Sequence, residues 1–166
     1  MKKVLMLMLL SAVGVAVAAQ KQKVSVGKNG EMIVNGDTVA YIEKEGCKLL
    51  SAICQFIITD ENDDPLLTVS LQSFTDKERK SPQFPNGTPT TYLLFSFKGY
   101  DEVAETDAPF SPKELSVAKL VARWRLIRDK KLDPESVNLF IAANGRRFSE
   151  KELLQSQPPV IQINMQ

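Results

Sequence analysis

Beyond residue 20 the chain alternates apolar and polar positions in short runs. Val24-Ser25-Val26 leads to Asn29-Gly30, Met32-Ile33-Val34 leads to Asn35-Gly36, and Thr38-Val39-Ala40-Tyr41-Ile42 follows. Asn-Gly between short apolar runs favours a tight hairpin, because both turn positions tolerate positive φ. The pattern predicts a three-stranded meander. Residues 56–59 and 66–72 then flank an acidic turn, and Leu67, Val69 and Leu71 alternate with Thr68, Ser70 and Gln72. That alternation is a strand with one buried face. Residues 75–91 hold Pro82, Pro85 and Pro89 among polar neighbours and read as a long loop. Strand resumes over 92–98, with Leu93, Phe95 and Phe97 on one side.

From residue 111 the period changes. Ser111-Pro112-Lys113-Glu114 has capping-box spacing with proline at the first helical position, and predicts a helix to about Lys131. At about 100° per residue, Val117, Leu120, Val121, Trp124 and Ile127 share one arc, a core-facing stripe. Arg128 falls inside that arc, its stem packed and its head turned outward. Asp133-Pro134 caps a second helix through Val137, Phe140 and Ile141, and Asn144-Gly145 ends it. Ser149 and Glu152 repeat the capping-box spacing for a short third helix. Pro158-Pro159 breaks the chain before a closing strand over 160–165. The fold class is α+β: an antiparallel β-sheet, made of the N-terminal meander and further hairpin strands, covered by C-terminal amphipathic helices.

The first residues read differently. Lys2 and Lys3 precede an apolar run from Val4 that ends in Ala16-Val17-Ala18-Ala19-Gln20. A basic start, an apolar middle and small residues at the exit are the parts of a secretory signal peptide. The run, residues 4–19, is shorter than the roughly 20 residues that span a bilayer. The organisation is therefore a cleavable signal peptide over 1–19 and a single α+β domain over 20–166. The implied location is the periplasm or the extracellular space, with association to the envelope as one form of it.

Composition narrows the chemistry. The 166 residues are 43% hydrophobic and 25% charged, as in ordinary globular chains. Without Lys2 and Lys3 the basic and acidic residues number 19 and 20, which argues against nucleic acid as a partner. Histidine is absent, which removes the commonest general base and metal ligand. No cofactor is implied. The two cysteines, Cys47 and Cys54, are too few for a structural zinc site. They are the candidate disulfide if a turn lies between them, because one helix would hold their Cα atoms about 10 Å apart. Two buried small side chains are the other reading.

Short motifs add little. Asp60-x-Asn62-x-Asp64 opens like a calcium loop, but Pro65 stands where glycine is required and Leu71 where the bidentate glutamate belongs. A solvated hairpin tip is the simpler reading. Ser25-x-x-Lys28 and Ser116-x-x-Lys119 have the spacing of a Ser-Lys pair without its companion motifs. Catalytic residues are accordingly not assigned, and an enzyme is not expected.

The surface with most character is basic. Residues 113–131 carry seven basic and two acidic side chains. On one helix Lys119, Arg123 and Lys130 would lie within about 40° of each other. With Arg125 they are the candidate partner-binding residues. Acidic segments 60–64 and 101–107 are the internal groups that could neutralise them.

The signal segment ending Ala18-Ala19-Gln20, the Asn-Gly meander and the capped helices together resemble small, exported, single-domain proteins of unknown function from Gram-negative bacteria. A shorter likeness, Phe56-x-Ile58-x-Asp60 before Pro65-Leu66-Leu67, resembles the tubby and scramblase-like sheet domains. The central hydrophobic helix implied by that second likeness is replaced here by a basic amphipathic one. The expected function is an exported, non-enzymatic binding or structural domain with an envelope or extracellular partner. The alternatives are a peripheral membrane-surface protein held by the basic helix, and a small hydrolase using Ser-Lys or carboxylate chemistry.

Overall fold

The computed structural model describes residues 22–46, 54–109 and 111–157. The signal segment expected over 1–19, Cys47 and the closing strand expected over 160–165 lie outside the described residues. Among the described residues seven strands form one antiparallel sheet in sequence order: β1 (Val24–Val26), β2 (Glu31–Val34), β3 (Asp37–Glu45), β4 (Cys54–Thr59), β5 (Pro65–Asp76), β6 (Thr88–Phe97) and β7 (Val103–Asp107). Three helices follow among the described residues: α1 (Glu114–Arg123), α2 (Pro134–Asn144) and α3 (Arg147–Ser156). Between α1 and α2 lies a small hairpin, β8 (Ile127–Arg128) and β9 (Lys131–Leu132). The α+β architecture is thus as the hydrophobic pattern foretold. The sheet is open, with β1 and β7 at its edges.

The meander forms with one change of turn. Asn35 and Gly36 both have positive φ and join Val34 to Asp37 as a two-residue turn. At the first turn only Gly30 is positive, and the loop spans 27–30. There Glu31 accepts from the Asn29 backbone and side-chain N–H groups at 3.0 and 3.1 Å. Gly30 also passes so close to β3 that an added Cβ would sit 2.5 Å from the Ile42 carbonyl oxygen.

Strands β5 and β6 are longer than their apolar runs, so the expected 75–91 loop shrinks to 77–87. Residues 72–76 and 88–91, polar apart from Phe74 and Pro89, pair in register, and α3 supplies partners for Asp76 at the end of β5. Leu67, Val69, Leu93, Phe95 and Ala104 point to one face, beneath α1 and α2. Phe74, Asp76, Tyr92 and Glu105 alternate to the other, where α3 lies. The chain crosses between faces around the β7 edge, where the Glu105 N–H donates to the Gly145 carbonyl at 2.9 Å. That crossing covers part of an edge that would otherwise offer itself to another strand.

The expected helix to Lys131 stops at Arg123 instead. Leu126 explains why: on a continued helix it would lie about 160° from the middle of the apolar arc. That same helix would direct Arg128 into the core. The actual turn reverses both, leaving Leu126 at 0% exposure and the Arg128 side chain at 62%. The stop is a Schellman motif without glycine. Arg125 takes the left-handed conformation at φ 53, its N–H donates to Ala122, and the Leu126 N–H donates to Val121 at 3.1 Å. Asp129 and Lys130, both of positive φ, then close the β8–β9 hairpin.

Helix starts differ in detail from the sequence signals. The N-cap of α1 is Lys113 rather than Ser111, and its N–H donates to Ser116 Oγ at 2.9 Å. α2 begins after Asp133 and ends at Gly145 as foreseen. α3 begins after Arg146, and its N-terminus is capped from across the sheet. Phe140 is the hub of the helix-covered core, 4.9 Å from Phe95 and 5.1 Å from Trp124 between ring centroids. Trp124, half-buried at the end of α1, therefore packs on the core as its position in the apolar arc implies.

Candidate functional site

The basic segment does not remain one stripe. Lys130 leaves the helix for the β8–β9 turn and pairs with Glu61 of the acidic turn between β4 and β5, which raises the Lys130 pKa. Arg128 binds the buried Asp133 at 2.7 Å. These two cations hold the hairpin down. The acidic segment 101–107, expected to neutralise the basic residues, makes no ion pair with Lys119, Arg123 or Arg125 among the described residues. Its residues 103–107 are strand β7, and Glu105 and Asp107 serve α3.

Lys119 and Arg123 remain exposed on α1, one turn apart, and Arg125 is exposed at the turn that follows. Among the described residues no carboxylate lies within ion-pair distance of any of the three. Of the four sequence candidates, the fold keeps these three at one end of α1 and removes Lys130. Arg123 also complements the negative end of the helix dipole. Arg125 lies at the same negative end, where a non-glycine residue in its left-handed conformation costs about 1–2 kcal/mol.

Beside Arg125 lies a partly open cavity of about 160 Å³, between α1 and the sheet. Its wall is Met32, Val34, Val39, Val121, Ala122 and Ile127. Gln22, Arg125 and Arg128 are its polar members. No local sequence signal marks it, because its lining comes from two sheet strands, one helix, the β8–β9 hairpin and the segment before β1. A larger open groove of about 920 Å³ runs past the first turn, the outer end of β3 and the start of α1. Lys28, Lys44 and Lys113 in its wall are balanced by Glu43, Asp63 and Glu114, so it favours neither sign of ligand.

The remaining motifs resolve into structure. Asp60 Oδ1 accepts from the Asn62 and Asp64 N–H groups at 2.8 and 3.0 Å, which closes the hairpin tip and lowers the Asp60 pKa. Among the described residues there is no group of three or more metal-ligating side chains. Ser116 Oγ donates to the Lys113 carbonyl at 2.6 Å and accepts from its N–H, so the hydroxyl serves the helix start. Ser25 lies on β1 and Lys28 in the turn after it. Cys54 opens β4 and is disulfide-bonded.

α3 is held mainly by polar contacts. None of its residues is buried, and Leu153 and Leu154 are 61% and 69% exposed. The fully buried Glu105 carboxylate accepts from the Phe148 and Ser149 N–H groups at 2.7 and 3.0 Å, capping the helix from β7. Phe148 stacks on Tyr92 at 5.0 Å. Asp76, also buried, binds Lys151 at 2.9 Å and Gln155 at 3.0 Å. Those two contacts, Lys151 first, lower the Asp76 pKa from 3.8 to about 2. The charged form is thus favoured by folding, so its stabilising effect is complete above about pH 4 and fades as pH falls through about 2. Hydrogen exchange of the α3 amides should accelerate across that interval in excess of the core. Asp76→Asn should already show fast exchange at pH 5, and equal protection in parent and variant would contradict this role.

No family model, curated protein or solved structure matches the chain.

Proposed function

We propose that this is an exported, non-enzymatic binding domain that recognises an anionic envelope or extracellular partner through the cationic end of α1. The observation that supports it most is Arg125, an arginine placed where glycine is favoured, exposed and without an acidic partner among the described residues. Lys119 and Arg123 extend the same charge along the helix. Strained backbone of this kind is retained where a side chain is needed at that point.

Two measurements bear on this reading. Arg125→Gly should stabilise the fold by about 1 kcal/mol, since glycine adopts the left-handed conformation freely, while weakening partner binding. A destabilised Arg125→Gly would mean that the arginine is there for packing. The second is co-sedimentation of the processed protein with its own envelope fraction. Binding at low salt should fall steeply at high salt. The triple variant Lys119→Gln/Arg123→Gln/Arg125→Gln should lose at least tenfold, roughly 1.4 kcal/mol. Absence of binding at both salts, or equal binding by the variant, would refute the proposal. The peripheral-membrane alternative predicts that protein-free vesicles rich in anionic lipid replace the envelope fraction fully.

A further inference from the structure

We infer that the cavity beside Arg125 is a ligand site for a single-chain amphiphile with a carboxylate head, such as a fatty carboxylate. The inference rests on the binding role proposed above for Arg125 and gives that role a ligand class. Size sets the tail. A volume of about 160 Å³ is close to the roughly 150 Å³ of an apolar cavity that admits benzene, so about six carbons fit inside. The lining sets the polarity: six of the nine wall residues are apolar side chains of the sheet, α1 and β8. A tail of this kind enters without leaving a polar group unpaired.

The head is set by the arginines. Arg128 is already engaged by Asp133 at 2.7 Å, which fixes its guanidinium at the wall. Arg125 has no ion-pair partner among the described residues, and its backbone is fixed by the Schellman turn. A planar guanidinium suits a carboxylate, which it binds through two parallel hydrogen bonds. An amine or a neutral head would leave Arg125 unmatched. The site therefore distinguishes ligands by sign as well as by tail length.

Calorimetric titration of the processed protein with octanoate, octanol and octylamine tests the site. Octanoate should bind with one-to-one stoichiometry, octanol at least tenfold more weakly, and octylamine not at all. Arg125→Gln should reduce octanoate affinity at least tenfold. Ala122→Leu should abolish binding by filling the cavity, and a melting curve shows whether that variant remains folded. Val39→Phe offers a second filling substitution if Ala122→Leu does not fold. A leucine-ending peptide that displaces octanoate only when its terminal carboxylate is free would assign the carboxylate to a chain terminus. Lack of displacement assigns it to a free fatty carboxylate.

Failure of octanoate to bind, or binding unaffected by a folded filling variant, would overturn the inference. Lys119→Gln/Arg123→Gln separates the two levels, since neither residue lines the cavity. Salt-sensitive envelope binding that persists without octanoate binding would leave the proposed function standing and remove the cavity site alone.

Discussion

Phe140→Ala should destabilise the domain by about 3–5 kcal/mol, the range for truncating a fully buried aromatic side chain. The residue has 0% exposure and joins three rings, Phe95 and Phe97 on β6 and Trp124 at the end of α1. Its loss opens the seam between α2 and the sheet. Trp124 reports this directly, because its edge contact with Phe140 at 5.1 Å disappears. Denaturant unfolding followed by tryptophan fluorescence should show a lower midpoint and a red-shifted native spectrum. A loss below about 1 kcal/mol would place the energetic core elsewhere.

Glu105→Ala should have the second-largest effect. Hydrogen bonds to a charged acceptor are worth about 1.5–3 kcal/mol each, and this carboxylate accepts two from the N-terminus of α3. Their removal should cost about 3–4 kcal/mol, with the upper limit set by release of α3. Glu105→Gln keeps one acceptor oxygen and should fall between the parent and the alanine variant. The readout that distinguishes helix release from general weakening is local. Chymotrypsin should cleave at Phe148 in Glu105→Ala under conditions where the β5–β6 hairpin resists. Cleavage within the β5–β6 hairpin as fast as at Phe148 would contradict a capping role.

How much of this was legible from the chain follows from where the signals are local. The strand segments of the meander and the β4–β5 pair, with their buried faces, follow from alternation over a few residues. The α2 limits follow from Asp133-Pro134 and Asn144-Gly145. The end of α1 was hidden because Arg125 occupies a position normally marked by glycine, and the Asp129-Lys130 turn contains none. Its trace was present all the same: a helix to Lys131 would have exposed Leu126 and directed Arg128 inward. Strand β7 was hidden more deeply. Val103-Ala104-Glu105-Thr106-Asp107 reads as an acidic segment, and Glu105 is buried only because α3 folds back over that face.

The candidate site divides in the same way. Composition located the basic segment, and Lys119, Arg123 and Arg125 keep their exposure in the fold. Lys130 was grouped with them by helical spacing alone, and ending the helix moved it to Glu61. The cavity had no signature in the sequence, since its lining residues meet only where α1 and the β8–β9 hairpin pack against β2 and β3.

The cationic end of α1 as the recognition surface is tested most directly by site-specific photocrosslinking. A photoreactive side chain replacing Lys119 leaves Arg123 and Arg125 intact, and the same probe replacing Ser96 reports from the sheet face opposite α1. In the envelope fraction at low salt, the probe at 119 should form a discrete adduct that high salt suppresses, and the probe at 96 should not. An adduct from position 96 with none from position 119 would contradict the assignment and move the contact to the opposite face of the sheet.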